Sequence, residues 1–161
     1  MTLDIRNATA SDCATLLIFI RELAEFERLS HEVKADEASL KQTLFTEDSG
    51  IEALVAELDG APAGFALYFR NYSTFLAKPG IYLEDLYVSP KFRSQGIGEA
   101  ILKHLANICL KRNYGRLEWS VLDWNERAIK FYRSAGAVGM NDWTAQRMDE
   151  AALMKFVEGR K

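Results

Sequence analysis

The sequence predicts a single α/β domain built on a mixed, mainly antiparallel sheet that is flanked by helices. The chain has 161 residues, which is the size of one domain, and no linker or low-complexity run divides it. Helix-type and strand-type patterns are interleaved along it, as in α/β proteins. Because 48% of the residues are hydrophobic and 27% are charged, a disordered or collagen-like chain is excluded. We therefore take residues 1–161 as one domain.

The first part of the chain predicts one strand and two helices. Leu3–Arg6 alternates briefly, as a short strand does. The polar cluster Thr9–Asp12 has the spacing of a capping box, so a helix is expected to begin near Ser11. The apolar residues that give this helix one buried face are Leu16, Leu17, Ile20, Leu23, Ala24 and Phe26. A shorter helix is expected over Asp36–Phe45.

The middle of the chain predicts a hairpin and a third strand. The apolar runs Ile51–Leu58 and Ala63–Asn71 flank the segment Asp59–Pro62, and Asp-Gly between such runs is typical of a β-hairpin. The run Ile81–Val88 is rich in β-branched and aromatic residues and stops before Pro90. These three strands are expected to form most of the sheet.

The rest of the chain alternates between helix and strand patterns after a glycine-containing loop. In chain order we expect a helix over Glu99–Arg112, a strand over Leu117–Leu122, a helix over Asn125–Ser134, a broken strand pair over Val138–Met148 and a short helix from Glu150. Gly136 is expected to end the second of these helices.

Charge and hydropathy exclude two classes of partner. The chain has 20 Lys and Arg against 23 Asp and Glu, a net charge of -3, so no global basic field attracts a nucleic acid. The apolar run Leu16–Ile20 is too short to span a membrane, and the acidic Asp4 argues against a signal peptide. We expect a cytoplasmic protein that binds neither nucleic acid nor membrane.

The cysteines and histidines do not form a metal or redox motif. Cys13 and Cys109 stand far apart on segments with helical patterns, without the spacing of a zinc or redox site. His31 and His104 are isolated from each other and cannot supply a multi-histidine site. We therefore expect buried free thiols and no metal.

The segment Arg93–Gly98 is the sharpest local feature, because it joins a predicted strand to a predicted helix. Gly96 and Gly98 allow the backbone to approach a ligand, and the first amides of the helix point outward at the positive end of its dipole. Such a loop suits phosphate or pyrophosphate, and Arg93 could add a charge-assisted hydrogen bond. The alternative is that the glycines only permit a tight turn.

Other phosphate motifs fit this segment less well. The spacing of a Walker A loop is absent. A dinucleotide-binding fingerprint would need a small residue where Ile101 stands, although Glu118 lies at the distance of the ribose-binding acid. A nicotinamide-dependent oxidoreductase therefore remains an alternative at this point.

Arg93–Gly98 also matches the [RQ]-x-x-G-x-[GA] signature of the GNAT superfamily of N-acetyltransferases. The chain resembles this family in its element order as well, from Ile5 to about Trp143. Within it, the sequence is similar to the diamine acetyltransferases, of the spermidine/spermine type and especially of the thialysine type. The blocks that carry this resemblance are Arg21–Glu27, Tyr82–Val88, Val121–Glu126 and Phe131–Tyr132.

The resemblance implies that acetyl-CoA is the cosubstrate and that no metal takes part. The backbone of Leu86, Tyr87 and Val88 is expected to bind the pantetheine arm as an added strand would. The residues expected to hold the pyrophosphate are Arg93, Ser94, Gln95, Gly96, Ile97, Gly98 and Glu99. Asn125 is expected to contact the far side of the cofactor, and Tyr132 to lie beside the sulfur.

The resemblance also assigns the catalytic and acceptor-binding groups. Glu84 matches the acid that binds the amine and helps remove its proton, and Tyr132 matches a tyrosine able to protonate the leaving thiolate. An alkylammonium has a pKa near about 10.4 and cannot attack a thioester until it loses a proton, so this chemistry needs a base. Glu84 and Asp85 should alternate between strand faces, so at most one of them faces a given cleft. Phe26 and Glu27 match residues that line the acceptor pocket.

The acceptor is expected to be a small-molecule primary amine. Ser73 stands where the spermidine/spermine enzymes have an acidic residue, and the loss of that cation partner favours a thialysine-like amino acid over a polyamine. The family resemblance further implies a homodimer. Two alternatives stay open: a non-enzymatic sensor of acetyl-CoA or CoA, and a GNAT enzyme that acts on a protein amine.

Overall fold

The computed structural model describes residues 1–159, in which the chain forms five strands and five α-helices. In chain order these are β1 Leu3–Asn7, α1 Cys13–Phe26, α2 Glu37–Leu44, β2 Ile51–Leu58, β3 Ala61–Ser73, β4 Lys78–Val88, α3 Ile97–Lys111, β5 Leu117–Glu118, α4 Glu126–Ser134 and α5 Glu150–Glu158. The chain divides into two compact units, Met1–Leu122 and Asp123–Lys161. The first unit contains the whole sheet.

The sheet has the order β1-β2-β3-β4-β5, in which the first four strands are antiparallel and β5 is parallel to β4. The prediction of a mixed, mainly antiparallel sheet is therefore confirmed. The predicted hairpin is also present, since Asp59 and Gly60 form its turn with φ of 51° and 80°. Two positive φ angles are what the turns that match strand twist require. The last strand is shorter than expected, because only Leu117–Glu118 of the predicted run is paired.

Helices α1 and α2 pack on one face of the sheet. Their buried side chains share a core with alternate residues of the central strands, and the members of this core are Cys13, Leu16, Leu17, Phe19, Leu40, Leu44, Val55, Phe65, Leu67 and Tyr87. Phe19 stacks on Phe65 with ring centroids 5.8 Å apart and contacts Tyr87 at 6.1 Å. The α1 periodicity seen in the sequence thus places its apolar face on the sheet.

The start of α1 is held by a buried carboxylate. Arg6 on β1 donates two hydrogen bonds of 2.9 Å to Asp12, and it also contacts Glu57 on β2 at 2.7 Å. The backbone N–H of Thr9 donates to Asp12 at 2.7 Å, which confirms the expected cap. The hydrogen bonds from Arg6 lower the pKa of Asp12 to about 2.

Helix α3 packs on the opposite face of the sheet. Ile97, Ile101 and Leu105 are fully buried on this helix. At its C-terminal end, Arg112 makes two 2.7 Å hydrogen bonds to Glu52 on β2. The structure of the first unit is therefore three layers, with the sheet between α1 and α2 on one side and α3 on the other.

The second unit contains α4 and α5, both close to the predicted positions. Gly136 follows α4 with φ of 95°, the left-handed geometry that ends a helix, as expected. The prediction of strands over Val138–Met148 is wrong, since no strand is assigned there among residues 1–159. Its side chains are not half-buried as strand residues are: Val138 is 81% exposed and Trp143 78%. An alternating pattern gives a strand only where a neighbouring strand and a buried face are available.

None of the helices described in residues 1–159 is long and apolar enough to cross a membrane.

Candidate active site

The candidate site begins at the free edge of β4. On one side β4 pairs with β3 along its length, from Lys78 to Val88. On the other side β5 pairs only with Ile81 and Tyr82. Beyond Tyr82, no strand of the described residues pairs with this side of β4. Its backbone N–H and C=O groups can therefore bind an extended ligand in the manner of an added strand.

A glycine-containing loop lies directly after this edge. Ser94 and Gly96 have positive φ of 62° and 78°, so the loop is neither strand nor helix. Helix α3 begins at Ile97, and its first backbone hydrogen bond runs from Ala100 to the carbonyl of Gly96. The N–H groups of the first turn consequently precede the helical ladder and carry the positive end of its dipole.

The two loop glycines have different reasons for being glycine. Gly96 has a left-handed backbone, which a residue with a Cβ adopts only at a cost. Gly98 has an ordinary backbone, and a Cβ there would meet only Val88 Cγ2 at 3.8 Å. No protein contact therefore requires a glycine at position 98. Its missing side chain leaves open space over the amides of α3.

Glu84 occupies a β-bulge. Asp85 pairs with Leu67 and Leu83 pairs with Tyr68, which leaves Glu84 between them without an opposite residue on β3. A bulge interrupts the alternation of side chains and changes the direction of the residues beside it. The simple alternation expected for Glu84 and Asp85 is therefore interrupted, and the Glu84 side chain is exposed to solvent.

Asp85 is a site residue to which the sequence reasoning gave no role. Its partner Leu67 belongs to the core under α1, so Asp85 is directed to that face of the sheet. Burial, together with the negative charges of Glu84 and Glu27, raises the pKa of Asp85 to about 6. Burial also raises the pKa of Glu27. The three carboxylates form a cluster suited to a cationic ligand.

This cluster joins residues that are distant in the sequence. Glu27 follows the last residue of α1, and Glu84 and Asp85 lie on β4. Phe26, the other residue predicted for the acceptor pocket, ends α1 and is 42% exposed. The bulge that brings Asp85 to this face has no pattern of its own in the sequence, which is why Asp85 was missed.

Arg93 is directed toward the protein interior. Its Nε donates a 3.0 Å hydrogen bond to the carbonyl oxygen of Val88. Its guanidinium carbon lies 5.3 Å from the centroid of the Phe26 ring and 5.5 Å from that of Tyr87. The side chain thus connects the loop, the end of β4 and the end of α1.

Ser73 lies at the opposite end of the β3–β4 hairpin from these groups. It pairs with Lys78, and its Oγ accepts a 3.2 Å hydrogen bond from the backbone of Leu76 in the turn. Glu84 lies six positions after Lys78 on β4, a distance of about 20 Å along a strand. Within the first unit, the fold does not bring Ser73 together with Glu84.

The remaining predicted residues lie on α4 in the second unit. Asn125 caps this helix, because its Oδ1 accepts a hydrogen bond from the backbone of Ala128 at 3.3 Å. Tyr132 is half-buried, and its ring centroid lies 5.4 Å from that of Phe131. The local capping pattern of the sequence explains the position of both residues along the helix.

Comparison with known proteins agrees with this geometry. A thialysine N-epsilon-acetyltransferase from Mus musculus is 40% identical to this chain over 97% of each protein. An L-ornithine N5-acetyltransferase from Arabidopsis thaliana is 30% identical and covers 92% of this chain and 85% of its own length.

Structural comparison gives the same fold. An integron cassette protein from the mobile metagenome of V. cholerae superposes with a TM-score of 0.81 at 31% identity, covering 99% of both chains. The acetyltransferase (GNAT) family itself matches residues 17–137, which include the open edge of β4, the glycine loop and Tyr132. The chain therefore belongs to the GNAT family of acetyltransferases.

Proposed function

We propose that this protein transfers the acetyl group of acetyl-CoA to a primary amine of a small molecule, and that residues 1–161 act as one domain. The observation that carries the proposal is the open edge of β4 beside the loop Ser94–Gly98. An edge that can bind an amide-containing arm, followed at once by free helix amides for a pyrophosphate, matches the chemical layout of a CoA thioester.

The cofactor-binding roles follow from this layout. Leu86, Tyr87 and Val88 present backbone groups to the pantetheine arm. The amides from Ser94 to Glu99 hold the pyrophosphate, and the space at Gly98 admits it. Asn125 keeps its role at the far side of the cofactor through its amide nitrogen, since its Oδ1 caps α4.

Three carboxylates bind and deprotonate the amine. Bound acetyl-CoA supplies the activated acetyl group, and the amine attacks it directly in a ternary complex. Glu84 accepts the proton of the alkylammonium, directly or through water, since its exposed position at the bulge allows exchange with solvent. Asp85 and Glu27 attract the cation, and Phe26 lines the apolar part of the pocket.

Tyr132 donates a proton to the sulfur as the thiolate leaves. A phenol is neutral at pH 7 and can act as a donor. Tyr132→Phe is expected to lower turnover by about 10²–10⁴-fold with an unchanged unfolding temperature. The matched control is Tyr72→Phe, since Tyr72 is 59% exposed at the other end of the hairpin from Val88. Equal turnover in the two variants would remove Tyr132 from the mechanism.

The amine is proposed to be a thialysine-like amino acid or a related diamine. Relatives at 34–40% identity are named for thialysine, and one at 30% is named for ornithine; both compounds carry a terminal primary amine. The uncharged Ser73 favours the same choice over a polyamine only through the family resemblance, since the fold of the first unit places Ser73 at the other end of the hairpin from Glu84.

A homodimer is also proposed. The second unit exposes several large apolar side chains, namely Val138, Met140, Trp143, Phe156 and Val157. Exposed apolar patches of this kind commonly mark protein interfaces. Light scattering is expected to give twice the chain mass of 18.2 kDa, and the mass of one chain would contradict the proposal.

The function is tested by thiol release from acetyl-CoA over one amine panel: thialysine, lysine, ornithine, putrescine, spermidine and spermine. The expected result is release above background, with thialysine or ornithine ahead of the polyamines. A preference for spermidine would overturn the substrate assignment but keep the enzyme class. A panel without activity would overturn the small-molecule assignment and direct attention to protein amines.

A further inference from the structure

We infer that Arg93 is a positioning residue, which holds the acceptor pocket against the cofactor-binding end of β4, and that it is not a ligand of the pyrophosphate. This inference rests on the proposed function. From the sequence alone, the position of Arg93 in the glycine loop predicts a contact with the pyrophosphate. The network that carries it consists of Arg93, Phe26, Tyr87, Val88 and Glu22.

The Arg93 side chain is engaged on three sides. Its Nε donates to the Val88 carbonyl at 3.0 Å, and its guanidinium carbon lies 5.3 Å from the centroid of the Phe26 ring and 5.5 Å from that of the Tyr87 ring. A guanidinium over an aromatic face is attracted by the ring, and more strongly where water is excluded. These contacts occupy the Nε donor and place the guanidinium over two aromatic rings, which fixes the side chain between the loop, β4 and α1.

Tyr87 extends the network to α1. Its hydroxyl hydrogen-bonds Glu22 and also contacts Arg93, while its ring packs on Phe19 in the core. Burial and the hydrogen bond to Glu22 raise the pKa of Tyr87 to about 12, so this hydroxyl stays a donor. One carboxylate oxygen of Glu22, Oε2, is buried and has no hydrogen-bond partner among the described residues.

The network joins two parts of the proposed site. Phe26 and Glu22 lie one helical turn apart at the end of α1, next to the acceptor-binding Glu27. Tyr87 and Val88 form the end of β4 that is proposed to bind pantetheine. Arg93 is the residue that contacts both. Loss of its side chain should therefore disturb the amine pocket as well as the cofactor edge.

A lysine cannot replace this arginine. The ammonium of lysine is a point charge without a planar face, so it cannot reproduce the contacts with both rings while it donates to the Val88 carbonyl. If Arg93 instead bound the phosphate directly, a lysine could replace it, since lysine also binds phosphate well. The conservative variant consequently distinguishes a positioning role from direct phosphate binding.

The experiment compares Arg93→Lys, Arg93→Gln and the control Lys91→Gln in steady-state kinetics. Lys91 is a cation of the same loop that lies over the Phe92 ring, so its variant changes the loop charge equally. At saturating acetyl-CoA, both Arg93 variants should raise the amine KM or lower kcat by about tenfold, as expected for the loss of one desolvated cation–π contact with its hydrogen bond. The control should remain within about twofold.

A second donor separates the two roles further. S-acetylpantetheine has the thioester and the pantetheine arm but lacks the phosphates. The defect of Arg93→Gln should persist with this donor. A defect confined to the KM for acetyl-CoA, absent with S-acetylpantetheine and rescued by lysine, would overturn the inference.

A third variant keeps the inference testable where Arg93→Gln does not fold. Tyr87→Phe keeps the ring and removes the hydroxyl that contacts Arg93 and Glu22. Its effect should be less than additive with that of Arg93→Lys, because both act on one network. Full additivity would contradict the network. Failure of the proposed function is recognised separately, as a wild-type protein that acetylates no amine.

Discussion

Glu52 and Asp85 are both carboxylates of the same sheet, but their surroundings are opposite. Glu52 on β2 receives two hydrogen bonds from Arg112, and these lower its pKa. Asp85 on β4 is half-buried beside two other carboxylates, and its pKa rises to about 6. The first carboxylate ties β2 to α3. The second carries an unfavourable negative charge, which a cationic substrate would neutralise.

The two faces of the sheet differ in whether their charged side chains are compensated within the protein. Next to α3, the charge is compensated within the protein and contributes to stability. Next to α1, the charges of Glu27, Glu84 and Asp85 have the same sign and repel one another, and we propose that they serve to bind the amine. Strain of this kind is typical of functional sites, where stability is reduced in favour of the ligand.

The largest expected effect is on catalysis at the bulge. Glu84→Gln should lower kcat/KM at neutral pH by about 10²–10⁴-fold, because the neutral amide cannot accept the amine proton. The measurement is thiol release at pH 7 and at a pH near the pKa of the amine, where much of the amine is already deprotonated. A defect that is equally large at high pH would argue against a base. Glu47→Gln, at an exposed site outside the cluster, serves as control.

A smaller effect is expected on the pH dependence of amine binding. As pH falls through about 6, Asp85 gains a proton and the attraction for the ammonium weakens, so kcat/KM should fall. Asp85→Asn should lower kcat/KM for the amine by about tenfold at pH 7.5 and remove the inflection near pH 6. If the inflection near pH 6 persists in Asp85→Asn, the inflection belongs to another titrating group.

Stability should respond to pH in opposite directions at the two carboxylates. The raised pKa of Asp85 means that its favourable contribution is present below its unfolded pKa and is lost as pH rises through about 6. Asp85→Asn should therefore be more stable than the wild type at pH 7.5, by up to about 3 kcal/mol, and lose this advantage near pH 4. Urea unfolding at both pH values measures the difference.

The smallest effect is expected at the compensated pair. The lowered pKa of Glu52 gives stability that is present above its unfolded pKa and is lost as pH falls through its folded pKa. Arg112→Gln should cost about 1 kcal/mol at pH 7.5, since both side chains are partly exposed and screened by solvent. Its KM values should match the wild type. A changed amine KM would contradict the view that the Glu52–Arg112 pair contributes to stability and not to amine binding.

Part of the candidate site could be predicted because it depends on local residue type. The Gly96 turn, the start of α4 next to Asn125 and the Gly136 stop all depend on backbone conformations that a few neighbouring residues determine. The family blocks added Glu84 and Tyr132. Asp85 could not be predicted in the same way, because its direction depends on a bulge set by the pairing of β4 with β3.

The expected strands over Val138–Met148 also show that a local pattern does not reveal whether a pairing partner is present. Their residues alternate, but a strand needs hydrogen-bond partners on another segment, and residues 1–159 supply none there. The expected direction of Arg93 is a related case. Its position in the loop is local, whereas the rings that hold it come from α1 and β4.

The sequence by itself determined the order of most elements, the hairpin turn at Asp59 and the glycine loop before α3, because these follow from periodicity and local backbone preference. Only the tertiary structure decided which β4 groups remain unpaired, which carboxylate is desolvated and where Arg93 points. These properties depend on register and burial, which arise from contacts between residues far apart in the chain.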